Sequence, residues 1–234
     1  MESNEFIEEE ILDEWSDTHP GIKRELKKKG YKYLGAGVDQ TAYLEPGTGL
    51  VLKIFGTQLM TSGSDGNQLS EDQKMFIIFA KFCITKKDNP FLPKFSGFER
   101  FVFEDQTYFQ IRQERLKKVP RKLGRMLEDL ADDIARSYQD ANEFITNEKA
   151  QAASDDYYAD SQDNIYYALI SKFGEQETHR LIKTIFALNK IASQKGYTFD
   201  LHAGNYMMRG NTPVITDPWV HPDGKHNGRS WLGI

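Results

Sequence analysis

Apolar and polar positions change their period several times along the chain, and each change marks an element. Within Glu2–Asp17, Phe6, Ile7, Ile11, Leu12 and Trp15 recur at near-helical spacing and predict a short amphipathic helix that lays one face on the body of the protein. From Tyr31 the pattern becomes strand-like. Tyr31–Leu34 alternates, Gly35-Ala36-Gly37 interrupts it, and Thr41–Leu44 resumes it. Glu45-Pro46-Gly47-Thr48-Gly49 is a turn, Leu50–Phe55 an apolar strand, and the polar 56–67 a loop. Ser70, followed by Glu71 and Asp72, marks a helix start, and Met75, Phe76, Ile78, Phe79 and Phe82 carry that helix forward. Two further strands, 94–103 and 107–113, are joined at Glu104-Asp105-Gln106.

The second half is read as mainly helical. Leu181, Ile182, Ile185, Leu188 and Ala192 form one stripe on a helix that begins near Thr178, and Gly196 is placed to end it. Tyr206-Met207-Met208, the turn Arg209–Pro213 and Val214-Ile215-Thr216 predict a hairpin. Ala150–Asp156 has the composition of a flexible insertion, and no internal repeat is visible.

The chain has 234 residues, with 39% hydrophobic and 28% charged positions, as expected of a globular protein with its own core. Lys plus Arg number 30 against 35 Asp plus Glu, a net charge of -5 that gives no overall footprint for nucleic acid. The charge is segregated. Glu2–Asp17 holds eight acids and no base, Arg112–Arg125 seven bases and one acid, and Glu128–Asp163 eleven acids and two bases. The basic run is suited to an acidic protein or nucleic acid, to the chain's own acidic block, or simply to water. The single cysteine, Cys83, excludes a disulfide framework and a multi-thiolate zinc site, and it is expected in the core. Met1–Glu10 lacks the basic start of a signal peptide, and no apolar run is long enough to span a bilayer. A soluble, cytoplasmic protein without a membrane partner is therefore expected, and its oligomeric state is not legible.

Three features carry chemistry. Gly35 and Gly37, one residue apart at a bend, let backbone N–H groups approach phosphate oxygens. Lys53 interrupts an apolar strand and points opposite to Leu52 and Ile54, toward either solvent or an anion. Asp200, Asn205 and Asp217 are oxygen donors of the kind that bind magnesium, and a hairpin between them can fold the last onto the first two. Each of these residues alone could merely shape a turn or cap a strand. His221–His226 has no second ligand cluster to make it a metal site, and is read as a solvated tail.

In this order the features form a protein-kinase-like arrangement. The sequence resembles the early serine/threonine protein kinases of short-tailed lytic phages, through Gly30–Gly37, Phe199–Met207 and Pro213–Pro218. The segment Asn89-Pro90-Phe91-Leu92-Pro93 is similar to the link between the kinase helix and the fourth strand. The resemblance implies an α+β, bilobal kinase-like fold with a shortened C-terminal lobe. It implies a helical extension over 1–29, a nucleotide-binding lobe over 30–112, and a reduced helical lobe over 113–234.

It also implies roles. The hairpin at Gly35 and Gly37 would cover the phosphates of ATP, and Lys53 would bind the α- and β-phosphates, with Glu71 or Asp72 as its acidic partner. Gln113-Glu114-Arg115 would lie beside adenine, with Glu114 contributing backbone groups. Asp200 would be the catalytic base, with Asn205 and Asp217 holding Mg2+. His202 is similar to the Asp-Leu-His-x-x-Asn version of aminoglycoside and choline kinases. Gln40 departs from the family's third loop glycine and Thr198 from the histidine before the base. Asp217-Pro218-Trp219 replaces Asp-Phe-Gly, and few residues follow it. The expected activity is ATP- and magnesium-dependent phosphorylation of Ser or Thr in proteins, host proteins and the chain itself included, with the host cytoplasm as the location if the source is viral. The alternatives are a small-molecule hydroxyl kinase, favoured by His202 and the short lobe, and a silent nucleotide- or protein-binding module.

Overall fold

The computed structural model describes residues 18–36, 40–56, 69–141 and 164–222, without the side chains of 137–141 and 164. The helix expected within Glu2–Asp17, Gly37, the Ala150–Asp156 insertion and the tail after Pro222 lie outside them. Two compact units result, the first containing 18–88 and Pro93–Leu116, the second Asn89–Leu92 and 117–222. Both contain strands and helices, and the large sheet is antiparallel throughout.

The first unit is a five-stranded sheet in the order β1-β2-β3-β5-β4, made of β1 (Lys32–Ala36), β2 (Thr41–Leu44), β3 (Leu50–Gly56), β4 (Phe95–Phe103) and β5 (Gln106–Glu114). Helix α1 (Pro20–Lys28) covers one face. Its Ile22 and Leu26, one turn apart, pack with Tyr43, Leu52, Ile54 and Tyr108. The sequence reading expected helix within 1–29 but placed its apolar stripe at Phe6–Trp15, because the five bases of Lys23–Lys29 hid this two-residue stripe. His19 caps it, its Nδ1 accepting the Gly21 N–H at 3.1 Å, and Pro20 supplies the preset first turn.

Helix α2 (Glu71–Thr85) covers the other face. Ser70 and Gln73 form a reciprocal capping box, as the serine before two acids predicted. Gln73 also donates to the Gly56 carbonyl at 2.8 Å, pinning the helix start to the end of β3. Phe55, Phe76, Phe95 and Phe79 interlock edge to face above the strands. Cys83 is buried, which pushes its thiol pKa far up and leaves it inert.

In the second unit, α3 (Arg121–Ala141), α4 (Asn164–Phe173) and α5 (Glu175–Lys195) pack on one another. The expected stripe Leu181, Ile182, Ile185, Leu188 and Ala192 is buried along α5, which ends at Gly196 with φ 70, a left-handed conformation that glycine adopts without strain. Leu123, Leu127, Leu130 and Ile134 bury α3 in the same core. A small sheet joins β6 (Lys117–Lys118) to the hairpin β8 (Tyr206–Arg209) and β9 (Thr212–Ile215), and β7 (Thr198–Phe199) pairs with β10 (Trp219–Val220). Asn89–Leu92 is held by this unit. Arg209 donates to the Pro90 and Leu92 carbonyls at 2.8 and 2.9 Å, and Ile215 N to the Phe91 carbonyl at 2.9 Å. Among the described residues no helix is long and apolar enough to cross a membrane.

Glu45 ties the first sheet together where β2 ends. Its carboxylate accepts from Tyr31 Oη at 2.8 Å, Thr48 Oγ1 at 2.9 Å and Arg112 Nε at 3.1 Å. Burial alone would raise its pKa, but these three donors and the Arg112 charge hold it below 4.5. Because the folded form holds its proton less tightly than the unfolded chain, the Glu45 contribution is complete above that value and is lost as pH falls through the lowered pKa. We predict that Glu45→Gln costs about 1–2 kcal/mol at neutral pH and flattens the acid limb of a urea stability-against-pH curve. An unchanged acid limb would show that the cluster is only superficial.

Candidate active site

The second unit gathers four of the residues singled out in the sequence. Phe199 pairs with Trp219 in register, so the strands that precede Asp200 and follow Asp217 run side by side. Asp200 N donates to the Pro218 carbonyl at 2.9 Å. The Ala203–Asn205 turn, a single 3-10 turn, brings Asn205 back toward Asp200, and Asn205 Nδ2 donates to the Asp200 carbonyl at 2.7 Å. The Asn205 carbonyl in turn accepts from Thr216 N at 2.8 Å and Thr216 Oγ1 at 3.1 Å. Asp217 therefore sits between two residues, Thr216 and Pro218, that are each bonded to the Asp200–Asn205 segment. The segments around residues 200 and 217 are locked together by these contacts.

The Asn205 amide is oriented without ambiguity. A carbonyl can only accept, so the NH2 end faces Asp200 and the oxygen end is left over. Asn205 is buried at 7% exposure, while Asp200 and Asp217 are half-buried. An amide oxygen beside a carboxylate suits a hard cation. Among the described residues no group of three or more His, Cys, Asp and Glu is placed to hold a metal ion. Magnesium needs only one or two carboxylates and completes its shell with water and phosphate oxygens.

His202 has a local function. Its Nδ1 accepts the Gly204 N–H at 3.0 Å, capping the turn, and its Nε2 lies 4.0 Å from Asp200 Oδ2. Helix α3 supports the loop from behind. Glu128 Oε2 accepts Ala203 N at 3.2 Å, and Tyr206 Oη donates to the Leu127 carbonyl at 3.1 Å. A Cβ at Gly124 would meet Ala203 Cβ at 3.2 Å, so glycine permits the close approach. Glu128, Tyr206 and Gly124 were not singled out in the sequence. The spacing Leu123, Leu127, Leu130, Ile134 was the available signal for α3, masked there by its charges.

In the first unit, Lys53 points away from buried Leu52 and Ile54, as its strand position required, and its Nζ lies 5.0 Å from the Phe76 ring of α2. Glu71, one of its two expected partners, is at the exposed start of α2 and pairs with Lys74 at 2.6 Å. Gly35 lies on β1 at an irregularity in register with β2. Glu114 ends β5, where its N–H donates to the Lys94 carbonyl at 3.0 Å and its carboxylate accepts Lys94 N at 2.8 Å. An adenine contact through the Glu114 N–H would have to displace that bond.

No family model matches the chain, and no curated protein matches it in sequence, so the likeness to phage kinases stays with the motif residues. Among solved structures, the gentamicin-APH(2")-IIa complex is similar at a TM-score of 0.29 and 15% identity, over 88% of this chain and 73% of that one. At that score the similarity says nothing about the site's chemistry.

We predict that Asn205→Asp, which keeps oxygen donors but turns an acceptor toward the Asp200 carbonyl, lowers stability by about 1–3 kcal/mol. Hydrogen exchange at 200–206 should accelerate with it. Unchanged exchange there would show that the Asn205 bond does not hold the loop.

Proposed function

We propose that the chain transfers the γ-phosphoryl group of ATP to a hydroxyl, with magnesium, and that the acceptor is a Ser or Thr of a protein, the chain itself included. The observation that carries this reading is the lock between Asn205, Asp200 and the Thr216–Pro218 segment. It places Asp200, Asn205 and Asp217 on backbone segments joined to one another through Asn205, Thr216 and Pro218.

In this assignment Asp217 and Asn205 hold magnesium, which would neutralise charge on the phosphates. Asp200 is left to face the acceptor. As the acceptor oxygen forms its bond to the γ-phosphorus and the bond to the ADP oxygen breaks, the hydroxyl proton passes to the Asp200 carboxylate. Lys53 is assigned to the α- and β-phosphates, and the Gly35 and Gly37 positions, as in the motif, to covering them. His202 is assigned to positioning, because its ring nitrogens are directed at Gly204 and Asp200. That turn-capping role accounts for the histidine without a small-molecule acceptor, which favours the protein reading of the motif.

Three variants separate these roles. Asp217→Asn removes a charge from the metal site and should weaken binding of Mg-ATP about tenfold or more. Asp200→Asn should leave that binding within about threefold while cutting transfer about a hundredfold or more. Lys53→Ala should lose some affinity and some transfer. Calorimetry with a non-hydrolysable ATP analogue, beside a labelled-phosphate assay and mass spectrometry of acceptor residues, reads both quantities. Nucleotide binding with no transfer above the Asp200→Asn variant would make the chain a silent binding module. Phosphate found only on small-molecule hydroxyls would replace the protein acceptor.

A further inference from the structure

The start of α3 borders a cavity of about 540 Å³, broadly open to solvent, lined by Arg121, Lys122, Arg125, Met126 and Asp129. Three bases face one acid there, and among the described residues none of the three bases forms an ion pair. All three are exposed, and Arg121 is the first residue of the helix, where the free N–H groups add positive potential. Like charges gathered in one place repel one another, so an arriving anion gains on each of them.

The position of this cavity relates it to the candidate active site within the same unit. Arg121, Gly124, Arg125 and Glu128 follow one another at helical spacing on neighbouring parts of one face. Gly124 and Glu128 are the residues that touch Ala203, at the turn between Asp200 and Asn205. From Arg121 to Glu128 the helix rises about 10 Å, a distance an extended peptide covers in about three residues.

We propose that this cavity is the docking site for an acidic segment of the polypeptide acceptor, selecting hydroxyls with Asp or Glu about three residues away. The proposal deepens the phosphotransfer reading and rests on it for the word acceptor. Its charge disfavours cationic small molecules, which the three bases would repel. A peptide is favoured over nucleic acid because Met126 offers an apolar contact that suits a side chain between the acidic groups. The net charge of -5 likewise provides no long-range field for a polyanion.

The test reads binding without nucleotide, so it stands apart from catalysis. Fluorescence anisotropy on the full chain would compare three labelled probes. These are a serine peptide with Glu three residues to either side, the same peptide with Lys in place of Glu, and a single-stranded oligonucleotide of similar length. The acidic peptide should bind at least tenfold more tightly than the lysine peptide, with an affinity that falls as salt rises. Arg121→Glu/Arg125→Glu should weaken it tenfold or more, and Arg121→Gln/Arg125→Gln should fall between, with thermal melts reporting that both variants fold. Equal binding of the two peptides, no binding of either, or an unaffected charge-reversal variant overturns the proposal. An oligonucleotide that binds more tightly than the acidic peptide, and is lost in the same variant, overturns it in favour of nucleic acid. Absence of phosphoryl transfer to any acceptor, with acidic-peptide binding intact, overturns the phosphotransfer reading and leaves the docking site standing.

Discussion

One residue organises the candidate site. Asn205 donates its side-chain amide to the Asp200 carbonyl while its backbone carbonyl accepts twice from Thr216, so a single residue joins the loop before the hairpin to the segment after it. Backbone carbonyls half-removed from water demand partners, and here each demand is met by the segment that must be held. Asp200 and Asp217 owe the placement of their backbone to this lock and to the short β7–β10 pairing. Separating the groups that build a site from the groups that act in it is what allows the latter to be half-exposed and charged.

The two faces of the first sheet show the same division. Leu52 and Ile54 are buried against α1, and the alternation of the strand then forces Lys53 to the other face, where α2 brings Phe76 beneath it. A lysine whose stem lies along aromatic carbon can present its ammonium group in a fixed direction with little loss of side-chain freedom. Gln73, shared between the capping box and the Gly56 carbonyl, keeps α2 from sliding along the strand, and with it the ring that Lys53 rests on.

Charge segregation gives the second unit its polarity. Helix α3 buries Leu123, Leu127, Leu130 and Ile134 inward, supports the Ala203 turn through Gly124 and Glu128, and presents Arg121, Lys122 and Arg125 outward at its start. One helix thus belongs to the core, the loop and the surface at once. Its amphipathic period leaves the first turn free to carry exposed bases without weakening the packing below.

Much of this was written locally. The strands around Tyr43 and Leu52, the Ser70 cap, the α5 stripe and the hairpin after Asn205 follow from alternation, capping chemistry and turn residues, all set by neighbours in sequence. So does the direction of Lys53, because a strand alternates whatever surrounds it. The apolar stripes and bounds of helices α1 and α3 escaped that reading because dense charge obscured them, and they acquire meaning only once a sheet or a neighbouring helix is there to receive them. The partner of Lys53 on α2 also escaped it. Periodicity places residues on a face but does not choose between Glu71, bonded to its own Lys74, and the Phe76 ring one turn further on. The motif order suggested that Asp200, Asn205 and Asp217 belong together. Tertiary structure alone decided which Asn205 atom faces Asp200, because that bond joins residues whose contact depends on the paired strands and on the α3 helix behind the loop.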